Sequence, residues 1–321
     1  MKIREFRALV EGLGRLTPRQ KGLLSEGLRK IKSAQETNDL LESRVVSKPV
    51  CPRCGCERIA RWGTASRLQR YRCADCKSTF NALTGTPLAR LRHKDKWSDY
   101  AQQMAEGKSI RKSAAHTGVH RNTSFRWRHR FLTLPAQQKA KRMVGIVEAD
   151  ETFFLESFKG KKQGMVRKPR KRGGKASKRG VSNEQVPVLI CRDRTGSTSD
   201  FVLPKADKKH ICAALKPIVA ADAVLCTDGS KAARAASRSL GIVHRSVNLS
   251  AGIRVVDKVY HVQNVNAYDS RLKTWIRRFN GVATHYLPSY LGWQRLNDRT
   301  KAPMSSSIIL SAALGIDKFN N

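Results

Sequence analysis

The sequence lacks any run of about 18 apolar residues, which is the length that a helix needs to cross a bilayer. Its first residues, Met1 to Phe6, do not open the apolar stretch of a secretion signal. No internal repeat is apparent. We therefore expect a cytoplasmic protein that has no membrane partner.

Acidic residues are scarce. The chain has 25 Asp and Glu against 63 Lys and Arg, which gives a formal net charge of +38. This excess is far larger than solubility requires and predicts a polyanion as partner. Release of counterions would supply much of the affinity, so binding should weaken steeply with added salt. The alternative is a basic protein whose lysines are merely solvated.

Disulfides are not expected in a reducing compartment, although the chain has eight cysteines. Four of them form two C-x2-C pairs separated by 18 residues, a spacing typical of four-thiolate zinc sites. Four thiolates leave no open coordination position, so this zinc is predicted to be structural, in a zinc ribbon. Cys56 is an alternative ligand. The predicted zinc ligands are Cys51, Cys54, Cys73 and Cys76.

The order of patterns along the chain predicts a multidomain protein. Residues 109–132 show the pattern of a helix-turn-helix, with Gly118 in the turn and a second helix from His120 to Phe131. The predicted parts are a small helical segment at 1–45, a zinc ribbon at 46–92, a helix-turn-helix region at 93–140, an α/β domain at 141–300 and a tail at 301–321. The residues of the second helix predicted to contact DNA are Arg121, Asn122, Ser124, Arg126 and Arg128.

After residue 144 short β-rich segments alternate with helical ones, which indicates an α/β domain with a mixed sheet. Residues 159–180 are rich in Lys, Arg and Gly and cannot form a core, so we interpret them as a basic loop for nucleic acid. Asp150 and Asp228 each follow an apolar run that is typical of a strand. Carboxylates at the ends of neighbouring strands can hold the divalent ions that cleave phosphodiesters. Taken singly, each acid is better explained as a turn residue, and Asp228 could also be a helix cap. Taken with the DNA-binding modules, the pair favours a metal site.

These features together resemble the zinc-ribbon insertion-sequence transposases of the ISXO type. The segments that carry the resemblance are "VEADET" around Asp150, "LCTDGS" around Asp228 and the stretch 260–293, which is the most specific. The resemblance covers nearly the whole chain from about residue 50 onward. It implies an RNase H-like catalytic domain of the DDE type, in which Asp150, Asp228 and Asn266 hold the catalytic metal and Lys273 lies close by.

Asn266 departs from family members with a full carboxylate triad, which have Glu at this position. Its amide oxygen can still coordinate Mg²⁺, and Lys273, seven residues later, lies on the same helix face. Asp269 shares that face and is an alternative carboxylate. Glu148 shares a strand face with Asp150 and is a candidate ligand or supporting acid, whereas Glu151 is expected to point to the opposite face.

The resemblance implies an enzyme that uses Mg²⁺ or Mn²⁺ to cut and join DNA. Its expected partners are double-stranded DNA, both the terminal inverted repeats of the element and the target, and a second copy of the chain. Two alternatives remain open at this point. One is a non-catalytic DNA-binding regulator derived from a transposase, and the other is a nuclease that cuts without joining.

Overall fold

The computed structural model describes residues 2–47, 50–160, 165, 167–170, 173–178, 182–248 and 251–316. The chain divides into two compact units, the first formed by Met1–Phe131 with Met304–Asn321 and the second by Leu132–Pro303. Within the described ranges, no helix combines the length and the apolar character needed to cross a membrane. The elements described below confirm a mixed α/β architecture, while the bounds of the five predicted parts stay predictions.

The first unit contains six helices and a small sheet among its described residues. The helices are α1 (Ile3–Gly12), α2 (Pro18–Ser47), α3 (Trp97–Ala105), α4 (Ile110–Thr117), α5 (Arg121–Phe131) and α11 (Ser306–Leu314), and the strands are β1 (Ile59–Ala65), β2 (Leu68–Cys73) and β3 (Thr79–Asn81).

Helix α2 is longer than the sequence predicted. It begins with a capping box, in which the Gln20 amide nitrogen donates to the Thr17 hydroxyl and the Thr17 amide nitrogen donates to the Gln20 side chain. The predicted helical segment ends at residue 45, whereas α2 continues to Ser47. Residues 48 and 49 lie outside the described residues. The helix is sustained by a buried stripe at four-residue spacing, formed by Ser33, Thr37, Leu41 and Val45.

Strands β1, β2 and β3 form an antiparallel three-stranded sheet in that order. The hairpin between β1 and β2 turns at Ser66 and Arg67, which have φ angles of 51° and 62°. Two consecutive positive φ angles are those of a type I′ turn, whose twist matches that of the flanking strands. Tyr71 stacks on Phe80 with ring centroids 5.7 Å apart, which holds β2 against β3.

An aromatic core joins the helices of the first unit. The Tyr100 ring on α3 lies 5.3 Å from that of Trp127 and 5.7 Å from that of Phe131, both on α5, in edge-to-face contacts. The segment predicted as a tail contributes to this unit, because α11 packs against α2, α3 and α5 and buries Ile309 and Leu310. Residues 317–321 lie outside the described part.

The second unit is built on a five-stranded mixed sheet with the order β6-β5-β4-β7-β8. Its elements are α6 (Thr133–Gln137), β4 (Ile146–Leu155), β5 (Gln185–Asp193), β6 (Thr198–Val202), α7 (Lys208–Leu215), β7 (Val224–Thr227), α8 (Lys231–Leu240), β8 (Val243–Ser246), α9 (Gln263–Ile276) and α10 (Leu287–Arg299). Strands β4, β5 and β6 are antiparallel, whereas β4–β7 and β7–β8 are parallel pairs. The mixed sheet expected from the sequence is confirmed. Strand β8 was not predicted, because its sequence, VHRS, has little apolar character.

The two faces of the sheet have different partners. On one face, Val147 and Ala149 of β4 and Cys191 of β5 belong to an apolar core that includes residues of α7 and α8. On the other face, α9 lies against β4 and β5, with Val265, Tyr268 and Leu272 buried. This alternation, with odd-numbered β4 residues on one face and even-numbered ones on the other, follows from the two-residue period of a strand.

Helix α10 approaches α6 closely at Gly292. A Cβ atom at this position would lie 2.4 Å from the Pro135 carbonyl oxygen and 2.6 Å from the Ala136 Cα. Only glycine allows this approach. Arg295, one turn later, donates to the carbonyl oxygens of Pro135 and Ala136 and pairs with Asp200 of β6, so that α6, α10 and the sheet are linked by one side chain.

Candidate active site

Asp150 and Asp228 come together where strand β7 ends beside its parallel neighbour β4. Strand β7 pairs with the first residues of β4, and the last registered pair is Glu148 with Cys226. Asp228 follows β7 directly, and Asp150 lies two residues beyond Glu148 on β4. Because β7 ends at Thr227, the edge of β4 is uncovered from this point on, and this leaves room for carboxylates beside it.

The turn after β7 fixes Asp228. Gly229 has a φ of 86°, and a Cβ atom there would lie 2.1 Å from the Ser246 hydroxyl oxygen, so the turn requires glycine. The Ser230 amide nitrogen donates to the Asp228 carboxylate over 3.0 Å. The Ser230 side chain then caps α8 by accepting from the Ala233 amide nitrogen. Asp228 is thereby held, exposed, at the junction of β7 and α8.

Glu151 joins these two acids, contrary to the expectation that it would point to the opposite face. Asp150, Glu151 and Asp228 each place a carboxylate oxygen within 4.8 Å of the other two. The alternation of strand side chains does not separate Glu151 from Asp228, because at the uncovered edge of β4 a long side chain can reach Asp228 from either face.

Burial and mutual repulsion disfavour the charged forms of this cluster. Burial, followed by the nearby charge of Asp228, raises the pKa of Asp150 to about 6. Burial and the charges of Asp150 and Asp228 raise the pKa of Glu151 to about 7. A divalent cation would relieve both effects, and clustered carboxylates are the ligands that Mg²⁺ and Mn²⁺ prefer. The residues present therefore fit such an ion.

Helix α9 brings further polar side chains to the Asp150 side of the sheet. The charge of Asp269 raises the pKa of Asp150 and that of Lys273 lowers it, so both charges act on this carboxylate. Lys273 Nζ lies 2.7 Å from Asp269 Oδ2. Asn266 precedes Asp269 by three residues and is half-buried on the same helix face.

Glu148, the other acid on this face of β4, is completely buried. Its carboxylate accepts hydrogen bonds from the Asn264 side chain and from the Val265 amide nitrogen, both over 2.9 Å. It also pairs with Arg194 over 2.8 Å. Glu148 therefore faces the first turn of α9 and belongs to a different cluster from that of Asp150, Glu151 and Asp228.

The four predicted zinc ligands converge in the first unit. Sγ of Cys51 lies 3.6 Å from that of Cys76, Sγ of Cys54 lies 3.6 Å from that of Cys73, and all four sulfurs are within 4.8 Å of one another. Tetrahedral zinc with bonds of about 2.3 Å requires sulfurs roughly 3.8 Å apart, so the cluster fits this ion.

Hydrogen bonds distinguish Cys76, a predicted ligand, from Cys56, the alternative one. Hydrogen bonds from the Ser78 hydroxyl and backbone lower the pKa of Cys76 to about 6, which favours the thiolate. Cys56, the alternative ligand, instead accepts from the Arg58 amide nitrogen through its sulfur.

The predicted DNA-contacting residues of α5 divide into two groups. Arg121, Asn122 and Arg126 are exposed. Ser124 and Arg128 are fully buried. Their polar atoms bond within the unit, since Ser124 donates to the Ile110 carbonyl and Arg128 donates to the Lys108 carbonyl and the Ser113 hydroxyl.

Comparisons with known proteins identify the second unit. Residues 142–294 match the family described as the ISXO2-like transposase domain. The chain carries an ISXO2-like transposase domain. This finding confirms the resemblance noted in the sequence, and the matched segment contains Asp150, Asp228, Asn266 and Lys273.

Two further proteins are similar to this chain. A protein described as an uncharacterized protein in transposable element ISH50 of Halobacterium salinarum is 28% identical over 270 residues, which are 81% of this chain and 89% of the relative. The cryo-electron microscopy structure of the simian T-cell lymphotropic virus intasome in complex with PP2A regulatory subunit B56 gamma matches with 12% identity and a TM-score of 0.29. That match covers 65% of this chain and 73% of the other, and a score this low supports no argument about the fold.

A cavity of about 1040 Å³ lies in the transposase domain, beyond the end of β4. Phe154, Phe158 and Ile276 contribute apolar surface to it. Its lining also contains four basic residues, Lys159, Arg167, Arg170 and Arg277. Part of the predicted basic loop therefore lines a cavity, whereas its residues 161–164, 166, 171–172 and 179–180 lie outside the described residues.

Sequence reasoning missed two features of the transposase domain. The alternation of strand side chains predicted that Glu151 points away from Asp150. Beside Glu151, however, strand β7 has already ended, so this side chain can still reach Asp228. Arg194 and His261, which surround Glu148, carry no local signal, because they lie about 46 and 113 residues from Glu148 and meet it only in the folded sheet.

Proposed function

We propose that the protein is the transposase of an insertion sequence, which binds the ends of its element and catalyses metal-dependent strand cleavage and strand transfer. The observation that carries this proposal is the carboxylate cluster of Asp150, Glu151 and Asp228 inside the transposase domain at 142–294. An isolated acidic cluster is common in proteins. Here Asp150 and Glu151 on β4 meet Asp228 at the end of β7 inside a domain of this family, and this makes the cluster a specific candidate for phosphoryl transfer.

Asp150 and Asp228 are the proposed metal ligands, together with the amide oxygen of Asn266. Glu151 is a further carboxylate at this site and compensates for the amide at position 266, which binds a hard cation less strongly than a carboxylate does. When bound, Mg²⁺ or Mn²⁺ supplies Lewis-acid activation and neutralises charge on the phosphate. Lys273, paired with Asp269 when DNA is absent, exchanges this partner for a DNA phosphate.

The proposed reaction has two in-line steps. Water attacks the phosphodiester at the element end, the bond from phosphorus to the 3′ oxygen breaks, and the departing oxygen takes up a proton as a free 3′-hydroxyl. That hydroxyl then attacks a phosphodiester of the target DNA and displaces another 3′-hydroxyl. In the second step the attacking hydroxyl displaces the leaving hydroxyl directly, so one phosphodiester bond forms as another breaks and the proposal includes no covalent protein intermediate.

The architecture supports finer assignments within the same proposal. Three antiparallel strands followed by two parallel strands that alternate with helices support an RNase H-like catalytic domain. Four sulfurs at zinc-binding distances beside a three-stranded sheet support a zinc ribbon. Helices α4 and α5, joined through Gly118 with a φ of 60°, support a helix-turn-helix.

DNA contacts are proposed for exposed basic surface in each unit. Arg121, Asn122 and Arg126 of α5 would contact the terminal inverted repeats, and the cations that line the cavity beyond β4 would contact phosphates. We further propose that two copies of the chain act together on paired element ends. We also propose that they act in the bacterial cytoplasm, at the nucleoid.

Strand transfer by the purified protein is the experiment that tests this function. A labelled duplex that carries the sequence flanking the coding region is incubated with plasmid target and Mg²⁺ or Mn²⁺. We expect cleaved and joined products from wild type and none from Asp150→Ala or Asp228→Ala. Asp222→Ala is the matched control, because Asp222 is an exposed acid in the loop that precedes β7.

Each contrary outcome identifies an alternative. Metal-dependent cutting without joined product would indicate a hydrolytic nuclease. Specific binding of the duplex with no metal-dependent product would indicate a DNA-binding regulator, and equal activity of Asp150→Ala and wild type would remove this cluster from the chemistry.

A further inference from the structure

We infer that Glu148 is a positioning residue, whose buried carboxylate holds the first turn of α9 on β4 and thereby sets Asn266, Asp269 and Lys273 against Asp150. The catalytic meaning of this inference rests on the proposed function. Its structural part, the attachment of α9 to β4, concerns the chain alone.

The carboxylate of Glu148 contacts four groups, all of them donors or cations. Oε2 accepts from the Val265 amide nitrogen, and Oε1 accepts from the Asn264 side chain, each over 2.9 Å. Oε1 also lies 2.8 Å from Arg194 Nη1 and 3.4 Å from His261 Nδ1. Both oxygens of Glu148 therefore have partners within the protein, and its side chain, which is 0% exposed, has no contact with solvent.

The Val265 contact is equivalent to a helix cap supplied from another element. Val265 is the third residue of α9, and its amide is one of those that a helix leaves without an internal partner. No side chain at the N-cap position, Val262, accepts such a bond. A carboxylate at this end also interacts favourably with the helix dipole. Glu148 thus supplies from β4 what the sequence before α9 does not.

Arg194 ties the segment that precedes α9 to the same carboxylate. It follows β5 directly, and its Nη2 donates to the Val259 carbonyl over 2.8 Å. Its Nη1 lies 2.6 Å from His261 Nε2 as well as 2.8 Å from Glu148. The approach to α9 is therefore attached to the sheet at Val259, at His261 and at Val265.

This attachment fixes the register of the site. Glu148 and Asp150 are two residues apart on one strand and share a face, while Val265 and Asn266 are adjacent on α9. A shift of the helix by one turn would move its residues about 5.4 Å along the sheet, which is more than a metal site tolerates. Groups that orient metal ligands typically contribute 10- to 100-fold to metal affinity or activity.

Stability alone does not account for a buried charge at this position. Replacing a buried ion pair with apolar residues of similar volume often leaves stability unchanged or raises it. A carboxylate with several donors instead defines one arrangement of the elements that it joins.

Three variants test the inference. Glu148→Gln keeps the size of the side chain but brings an NH₂ group against the donors of Asn264 or Arg194. Arg194→Met keeps the carboxylate and removes its cationic partner, whose side chain is 29% exposed. Asp200→Asn is the matched control, since it breaks another buried ion pair of the same unit, that with Arg295.

Amide hydrogen exchange without metal or DNA is the first measurement. In Glu148→Gln and in Arg194→Met we expect at least 10-fold faster exchange in residues 262–268, with little further effect in the double variant because both changes break the same cluster. Asp200→Asn should leave exchange there unchanged. Per folded molecule, strand transfer should fall 10- to 100-fold in Glu148→Gln and not in Asp200→Asn.

The outcomes separate this inference from the proposed function. Unchanged exchange at 262–268 in both Glu148→Gln and Arg194→Met would overturn it, as would a loss of activity no greater than that of Asp200→Asn. A loss of metal binding in Glu148→Gln with exchange unchanged would overturn it too and would make Glu148 a ligand. If wild type performs no strand transfer, the proposed function fails, while the exchange result still decides whether Glu148 holds α9.

Discussion

Position 266 carries an amide where transposases with a full carboxylate triad carry Glu. If the Asn266 amide oxygen is a metal ligand, Asn266→Ala should lower the rate of strand cleavage at least 10-fold at limiting Mn²⁺. Asn266→Glu should retain activity, because a carboxylate binds the ion more strongly than an amide does. Cleavage of a labelled element end over a range of Mn²⁺ concentrations measures both effects.

Gln263→Ala is the control for this prediction, because Gln263 is an exposed residue in the same first turn of α9. Wild-type activity of Asn266→Ala would contradict the prediction. The proposed ligand set would then consist of Asp150, Glu151 and Asp228.

Asp150 should also reduce the stability of the metal-free protein. Its pKa is raised to about 6, mainly by burial, so the folded protein holds a proton that the unfolded chain, with a pKa of about 4, releases. The folded state binds more protons between these values, and stability therefore falls as pH rises from about 4 through about 6. At pH 8 without metal, Asp150→Asn should be more stable by about 1–3 kcal/mol.

Thermal melting with a chelator that spares tightly bound zinc measures this effect, and the gain should shrink at pH 5. Asp222→Asn, at an exposed site, should melt like wild type. A lower melting temperature for Asp150→Asn at pH 8 would mean that the carboxylate is stabilising in the folded state.

The residues of this site were predictable to different degrees. Asp150 and Asp228 could be identified because each follows an apolar run in a motif of the family. Glu151 could not, because the sequence does not reveal that β7 ends one residue before Asp228 and uncovers the edge of β4. The partners of Glu148 could not be identified either, since Arg194 and His261 reach it through the pairing of distant segments.

Among the elements, the four-cysteine module offers a matched pair of substitutions. Cys54 belongs to the sulfur cluster, whereas Cys56, two residues later, bonds the Arg58 backbone. Cys54→Ser should therefore lose the single zinc ion that we expect per chain and destabilise the three-stranded sheet, because binding of structural zinc contributes folding free energy. Cys56→Ser should keep the metal.

Zinc content by mass spectrometry, together with exchange in residues 59–81, tests this prediction. Equal zinc loss in both variants would include Cys56 among the ligands. Full zinc retention in Cys54→Ser would mean that three thiolates and another group suffice.

The periodicity of the sequence predicts helix α5 but does not predict which of its residues are exposed. The pattern located the helix correctly, from about His120 to Phe131, but two of the five residues selected for DNA contact are buried. Arg128 is long and charged, and no local rule indicates that it will donate to the Lys108 carbonyl inside the unit. The packing of α3, α4 and α11 on α5 determines which face remains exposed.

For the whole molecule, the charge of +38 should dominate the thermodynamics of DNA binding. If about 6–10 phosphates are contacted, affinity for an element end should fall roughly 10³- to 10⁵-fold between 50 and 200 mM salt. Replacing both Arg121 and Arg126 with alanine should lower the slope of log affinity against log salt by about 2, because each removes one phosphate contact. Fluorescence anisotropy with a labelled duplex measures the slope. Asn122→Ala on the same exposed surface carries no charge and should leave it unchanged, and an unchanged slope in the double arginine variant would exclude α5 from the phosphate contacts.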